Sequence, residues 1–272
     1  MVRKNSLADY RSLLGRHIDS GDAVLVHTDL SMLGIPVELS GQSFSSDSKE
    51  RFMGSLLSIL GELCGSGGTL MVPAFTYSYA RHGIPFVLED SISEVCMFSE
   101  FFRKQSGAIR SLHPLFSLSA LGADAAFLCT ENGRSAYGYG SPMERLCRLK
   151  GKILFLGAFP WATMTFIHHI EHMAGVPYFY HKAFDNPVFA EGNRVPGPFF
   201  AYVRHLQGVV YSHRGFTDYL LARGAMIHTP MKRGGIWSVK AEKAMELGFR
   251  YLQEHPFGLI EKPFYGSNCR ED

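Results

Sequence analysis

Three uninterrupted apolar runs stand out along the chain: Ala23–His27 (AVLVH), Thr69–Pro73 (TLMVP) and Lys152–Ala158 (KILFLGA). Each is short, rich in β-branched or large aliphatic residues, and closed by turn or polar residues. Each therefore predicts a strand buried on both faces. A different period lies between them. In Arg51–Leu63 apolar side chains recur at Phe52, Leu56, Leu57, Ile59 and Leu60, the spacing of a helix with one face on a core. Ser99–Lys104 and Pro142–Leu149 are shorter helix candidates, and Leu7, Tyr10, Leu13 and Leu14 predict another near the start. Strands alternating with helices predict an α/β fold with a central, largely parallel or mixed sheet flanked by helices. In such sheets ligands bind where the carboxyl ends of the strands open into loops.

Two stretches break the alternation. Ser40–Ser48 (SGQSFSSDS) is polar and rich in Gly and Ser, which predicts an exposed loop. Phe184–Pro198 carries three prolines and two glycines, and the residues after it alternate enough to be strands. Residues 1–272 are therefore expected to form one domain, with about 175–215 a hairpin-bearing insertion that shapes a substrate mouth.

Composition excludes several classes. Hydrophobic residues make up 46% and charged residues 19%, which is ordinary for a folded protein. The net charge of +2 comes without any basic, aromatic-interleaved run, so nucleic acid is not an expected partner. No apolar stretch approaches the roughly 20 residues of a membrane span. Five cysteines, none paired as CxxC, argue against a disulfide framework and a structural zinc site. Together with the absence of a signal-like start, they predict a reducing, cytoplasmic setting.

The densest chemistry lies in Thr163–His172 (TMTFIHHIEH), just beyond the third apolar run. On a helix, Thr165, His168 and His172 would share a face, with Glu171 about 60° from His168. A histidine beside a carboxylate is a general-base arrangement, because the carboxylate fixes the tautomer and supports the imidazolium. Two other readings compete: three packing histidines, or a zinc hydrolase in which His168-x-x-Glu171-His172 chelates metal. Elsewhere, a loop His113 between Arg110 and Ser117 can meet an anion. Thr28 and Ser31 offer hydroxyls where the first strand ends. Ser141 before Pro142 reads as a helix N-cap. Phe75 and Thr76 lie at a strand end as a site wall. No GxxxxGK[ST], GxGxxG or GxSxG signature is present.

In order, HTDLSMLG at 27–34, GGTLMVPAFTYS at 67–78, SEFFRKQSGAIRSLHPLFSLSALG at 99–122, YGYGSPMERL at 137–146 and LGAFPWATMTFIHHIE at 156–171 resemble the aminoglycoside 3-N-acetyltransferase family, a fold distinct from GNAT enzymes. The family pattern T-x-x-H-x-x-E falls on Thr165, His168 and Glu171. The resemblance implies direct acetyl transfer from acetyl-CoA to an amine without a metal, with His168 as base, Glu171 assisting and Thr165 as an oxyanion donor. It implies CoA contacts at Thr28, Asp29, Leu30, Arg110, Ser111 and His113, beside which Ser31 and Ser117 are further expected CoA contacts. Phe75, Thr76, Tyr77, His172 and Tyr178 are the expected acceptor contacts. The aromatic stretch Tyr178–Phe184 reads as a site wall or as a homodimer interface. The chain departs from the family at Asp29, where Ser is usual, at Met164, where Asn is common, and in the additional His169 and His172.

Charge bears on the acceptor. A polycationic aminoglycoside is best held by an acidic face, yet the C-terminal part carries Arg194, Arg204, His205, Arg214, Arg223, Lys232 and Arg233. The sequence therefore predicts a neutral or anionic acceptor, such as a nucleotide-linked amino sugar, with an aminoglycoside as the alternative.

Overall fold

The computed structural model describes residues 5–39, 46–205 and 209–261. The three apolar runs form adjacent strands, Lys152–Leu156, Ala23–Thr28 and Thr69–Pro73, all parallel. Antiparallel strands extend the sheet on both sides. Gly235–Lys240 and Met226–Pro230 lie beyond Lys152–Leu156, and Leu118–Gly122 and Ile109–Arg110 lie beyond Thr69–Pro73. The result is a mixed sheet of seven strands, as the alternation predicts.

Alternate residues of the central strands enter two different cores. Ala23, Leu25, Met71, Ile153 and Phe155 belong to one, and Val24, Val26, Leu70, Val72, Leu154 and Leu156 to the other. Both faces are dry, which is why these strands read as continuous apolar runs. The helix Ser46–Cys64 covers the second face with Phe52, Leu56, Ile59 and Leu60. It begins earlier than its periodicity suggested, so Ser46–Ser48 are helical and not loop. The remainder of that predicted loop lies outside the described residues. On the opposite face, Ala241–Glu254 buries Ala244, Leu247, Tyr251 and Leu252.

The interrupting region forms an antiparallel ribbon. Phe179–Phe184 pairs with Phe199–Arg204, and a small sheet of Phe86–Val87, Val188–Ala190 and Asn193–Val195 lies at its far end. Among the described residues no helix is long and apolar enough to cross a membrane.

Candidate active site

The parallel strands end at Thr28, Pro73 and Leu156, and the loops beyond them enclose a cavity of about 750 Å³. Its walls include Thr28, Phe75, Tyr77, Tyr137, Thr165 and His168, together with ribbon residues Tyr180, Lys182, Tyr202 and Arg204. Gly157, at the end of the third parallel strand, makes this crowding possible. Its φ is +69°, and a Cβ there would run into the carbonyl oxygen of Asp29. A glycine relieves both constraints at once.

Thr163–His172 is not one helix. A short turn of helix, Pro160–Thr163, is followed by a break at Met164, and Ile167–Ala174 starts anew. Thr165 lies in the break, so it reaches the cavity from a loop and not from a helical face. Its Oγ1 lies 3.5 Å from Nε2 of His27. Burial lowers the His27 pKa to about 3, so this imidazole stays neutral.

His168 and Glu171 meet within the second helix. Nδ1 of His168 donates to Oε2 of Glu171 at 2.8 Å, and the hydroxyl of Tyr178 donates to Oε1 at 3.2 Å. The Glu171 side chain is 0% exposed, whereas that of His168 is 20% exposed. With Nδ1–H committed to the carboxylate, the neutral ring carries its lone pair on Nε2, on a side chain that lines the cavity. Tyr211, Tyr137 and His213 surround the imidazole, with ring centroids 5.4, 5.5 and 6.3 Å away. Burial, and secondarily His168, lowers the His213 pKa to about 3. Burial also raises the Tyr137 phenol well above its usual value. Tyr137 Oη and His213 Nε2 are buried without a hydrogen-bond partner among the described residues. Buried polar atoms are seldom left so, and these two line the cavity beside the base.

A helical H-x-x-E-H metal grip is not formed. The two oxygens of Glu171 are held by His168 and Tyr178, and His172 packs against His181 and Tyr202 with ring centroids 5.1 and 5.2 Å away. Among the described residues no three His, Cys, Asp or Glu side chains converge as metal ligands.

A profile described as Aminoglycoside 3-N-acetyltransferase matches residues 25–253. The chain belongs to the aminoglycoside 3-N-acetyltransferase family. Members are CoA-dependent N-acetyltransferases. Aminoglycoside N(3)-acetyltransferase VII of Streptomyces paromomycinus is 30% identical over 204 residues, 68% of this chain and 66% of that protein. Aminoglycoside N(3)-acetyltransferase IX of Micromonospora chalcea is 31% identical over 214 residues, 71% of this chain and 68% of that protein. The match thus spans about two thirds of each relative's length. Among solved structures, aminoglycoside acetyltransferase AAC(3)-Xa has a TM-score of 0.75 at 26% identity, covering 92% of this chain and 93% of that one. AAC-IIIb, solved in a binary complex with CoASH, shares the fold with a TM-score of 0.76 at 23% identity, covering 93% and 97%.

The family resemblance located the Thr165, His168 and Glu171 group, and the fold brings these three to one place. It places other expected contacts elsewhere. Thr28 lines the cavity, but Asp29 caps the short helix Leu30–Leu33, accepting from the backbone and hydroxyl of Ser31 at 3.0 and 2.5 Å. Arg110 is half-buried and is not among the residues that line the cavity. Its guanidinium donates to the carbonyls of Ala74 and Ser91, to Thr76 Oγ1 at 2.9 Å and to Ser117 Oγ at 3.0 Å. Ser111 Oγ accepts from Leu118 N, and His113 donates from Nε2 to the carbonyl of Phe200 and accepts at Nδ1 from Phe116 N. Arg110, Ser111, His113 and Ser117 thus engage these polar groups within the protein, and none of the four is among the residues that line the cavity. Phe75 and Tyr77 line the cavity, whereas Thr76 is held by Arg110 and Ile92. Tyr178 supports Glu171 from behind, and His172 faces the ribbon outside the cavity wall. His169 donates to the carbonyl of Tyr137 at 2.5 Å, which gives this additional histidine a structural role. Sequence reasoning missed His213, Tyr211, Arg81 and Lys182, which carry no local motif, and read Arg204 only as part of a basic C-terminal region and not as cavity wall.

Proposed function

We propose that the chain transfers the acetyl group of acetyl-CoA to an amine of an aminoglycoside, with His168 as general base. The observation that carries this reading is the His168–Glu171 pair in the cavity wall of a chain of this family. An amine must be neutral to attack a thioester. Nε2 of His168 takes its proton while the nitrogen bonds to the thioester carbon, and Glu171 stabilises the imidazolium formed. Thr165 Oγ1 donates to the oxyanion. When the C–S bond breaks, the sulfur leaves as CoA thiolate and takes up a proton, yielding the amide and free CoA.

Three cationic side chains, Arg81, Lys182 and Arg204, line the cavity and suit the phosphates of CoA. No carboxylate is among the described residues that line it. Tyr137 Oη and His213 Nε2 offer polar contacts to the acceptor, and the ribbon 179–204 forms one wall of its mouth. The names of the relatives support the aminoglycoside acceptor over the nucleotide-linked amino sugar that net charge alone suggested.

Release of free CoA from acetyl-CoA, measured side by side with an aminoglycoside and with a nucleotide-linked amino sugar, tests the assignment. Higher kcat/KM with the aminoglycoside is the expected result. Turnover of the nucleotide sugar alone would reverse the acceptor, and no CoA release with any amine would end the transferase reading.

A further inference from the structure

We propose that His27 is a positioning residue for the transfer: its neutral ring donates from Nε2 to Oγ1 of Thr165 and so leaves the threonine hydroxyl hydrogen for the oxyanion. This rests on the acetyltransferase reading and adds what sets its oxyanion donor.

His27 is out of keeping with its strand. Side chains alternate along Ala23–Thr28, and Ala23 and Leu25, on the face that His27 shares, are buried in the core that also holds Ile153 and Phe155. His27 continues that row and is only 4% exposed, yet it carries two polar ring nitrogens. A leucine would extend the row without burying a polar atom. Phe155, the register partner of His27 on the neighbouring strand, stacks on the imidazole with ring centroids 5.1 Å apart and planes 14° apart. The ring is thereby fixed at the carboxyl end of the strand, where His27 and Thr165 both line the cavity. Thr165 Oγ1, 3.5 Å from Nε2, is the hydrogen-bond partner of this ring among the described residues.

The break at Met164 serves the same contact. A threonine inside a helix can turn its hydroxyl to the carbonyl one turn back. Thr163 does so, donating to the carbonyl of Phe159 at 2.9 Å. Thr165, outside both helices, is left for His27.

The reaction sets the direction of the bond. A threonine hydroxyl has one hydrogen. Donated to His27, that hydrogen is lost to the oxyanion. With the ring hydrogen on Nε2, the threonine oxygen accepts and its own hydrogen is free to donate. The two bonds then run in one direction and polarise each other. Burial lowers the His27 pKa to about 3, so the ring supplies this N–H uncharged and does not compete with His168 for the proton of the amine.

Nitrogen-15 NMR of histidine-labelled wild-type protein reads the tautomer directly, the His27 signals being those lost in His27→Gln. A neutral ring protonated at Nε2 from about pH 5.5 to 8 is expected. A ring protonated at Nδ1, or one that titrates in that range, would overturn the role of His27 while leaving acetyl transfer by the wild type intact. This reading holds even if His27→Met does not fold. Steady-state kinetics then compares wild type, His27→Met, His27→Gln, Thr165→Val and the double variant His27→Met/Thr165→Val, each checked by thermal melting. His27→Met should lower kcat roughly tenfold, with KM for acetyl-CoA and for sisomicin within about twofold. His27→Gln, which keeps an N–H donor, should recover most of the loss. The double variant should be no slower than Thr165→Val, because His27 acts through that hydroxyl. Wild-type kcat in folded His27→Met, or losses that multiply in the double variant, would overturn the positioning role alone. No release of CoA by the wild type with any amine would remove that role and the acetyltransferase reading together.

Discussion

Nδ1 of His168 lies 2.8 Å from Oε2 of Glu171, one helical turn further along Ile167–Ala174. A fully buried carboxylate in that place does two things. It forces the imidazole proton onto Nδ1, and it makes the charged ring cheaper when Nε2 accepts a proton. Glu171→Gln removes the second effect and weakens the first. The expected outcome is a kcat lowered by roughly 10²-fold with KM for acetyl-CoA little changed. Tyr178→Phe, which deletes the hydrogen bond to the other oxygen, should have a smaller effect in the same direction. Steady-state kinetics of both variants check this.

Arg110 is expected to matter for stability more than for CoA affinity. Its guanidinium ties the carbonyls of Ala74 and Ser91 to Thr76 and Ser117, and burial lowers its pKa to about 9. Arg110→Met leaves several buried acceptors without a donor, which should cost at least about 3 kcal/mol. Denaturant unfolding measures the loss, and any remaining folded enzyme should keep its KM for acetyl-CoA.

Gly157→Ala places a Cβ against the carbonyl of Asp29 at a φ of +69°. Backbone strain alone costs on the order of 1–3 kcal/mol, and relief requires the first loop to move. A lowered melting temperature and a raised KM for acetyl-CoA are expected together, because the displaced loop follows directly on Thr28 in the cavity wall.

Acid should unfold the protein early. Burial lowers the pKa of His27 and His213 to about 3 and of His113 to about 4. The unfolded histidine titrates near 6.5, so between about pH 6.5 and 3 the unfolded chain binds more protons and stability falls as pH falls. At pH 5 each of the three should contribute a loss on the order of 2 kcal/mol relative to neutral pH. Unfolding curves from pH 7 to pH 4.5 test this; a flat profile would contradict it.

Much of the fold was legible because burial on both faces leaves a plain mark. Val24 and Leu25 face different cores, so the strand shows no polar alternation and no helical period. The general base was legible because His168 and Glu171 are three residues apart and make their contact locally. The rest was not. Thr165 appeared helical until Met164 broke the run, and the bracing role of Arg110 depends on carbonyls far away in sequence. Local periodicity records what a residue packs against, whereas long-range convergence exists only after folding.

The most direct measurement of the account is single-turnover acetyl transfer by His168→Gln, with acetyl-CoA binding followed in parallel by calorimetry. The prediction is a rate lowered by roughly 10²-fold or more and affinity for acetyl-CoA within about twofold of wild type. Transfer at close to the wild-type rate in the folded variant would contradict it.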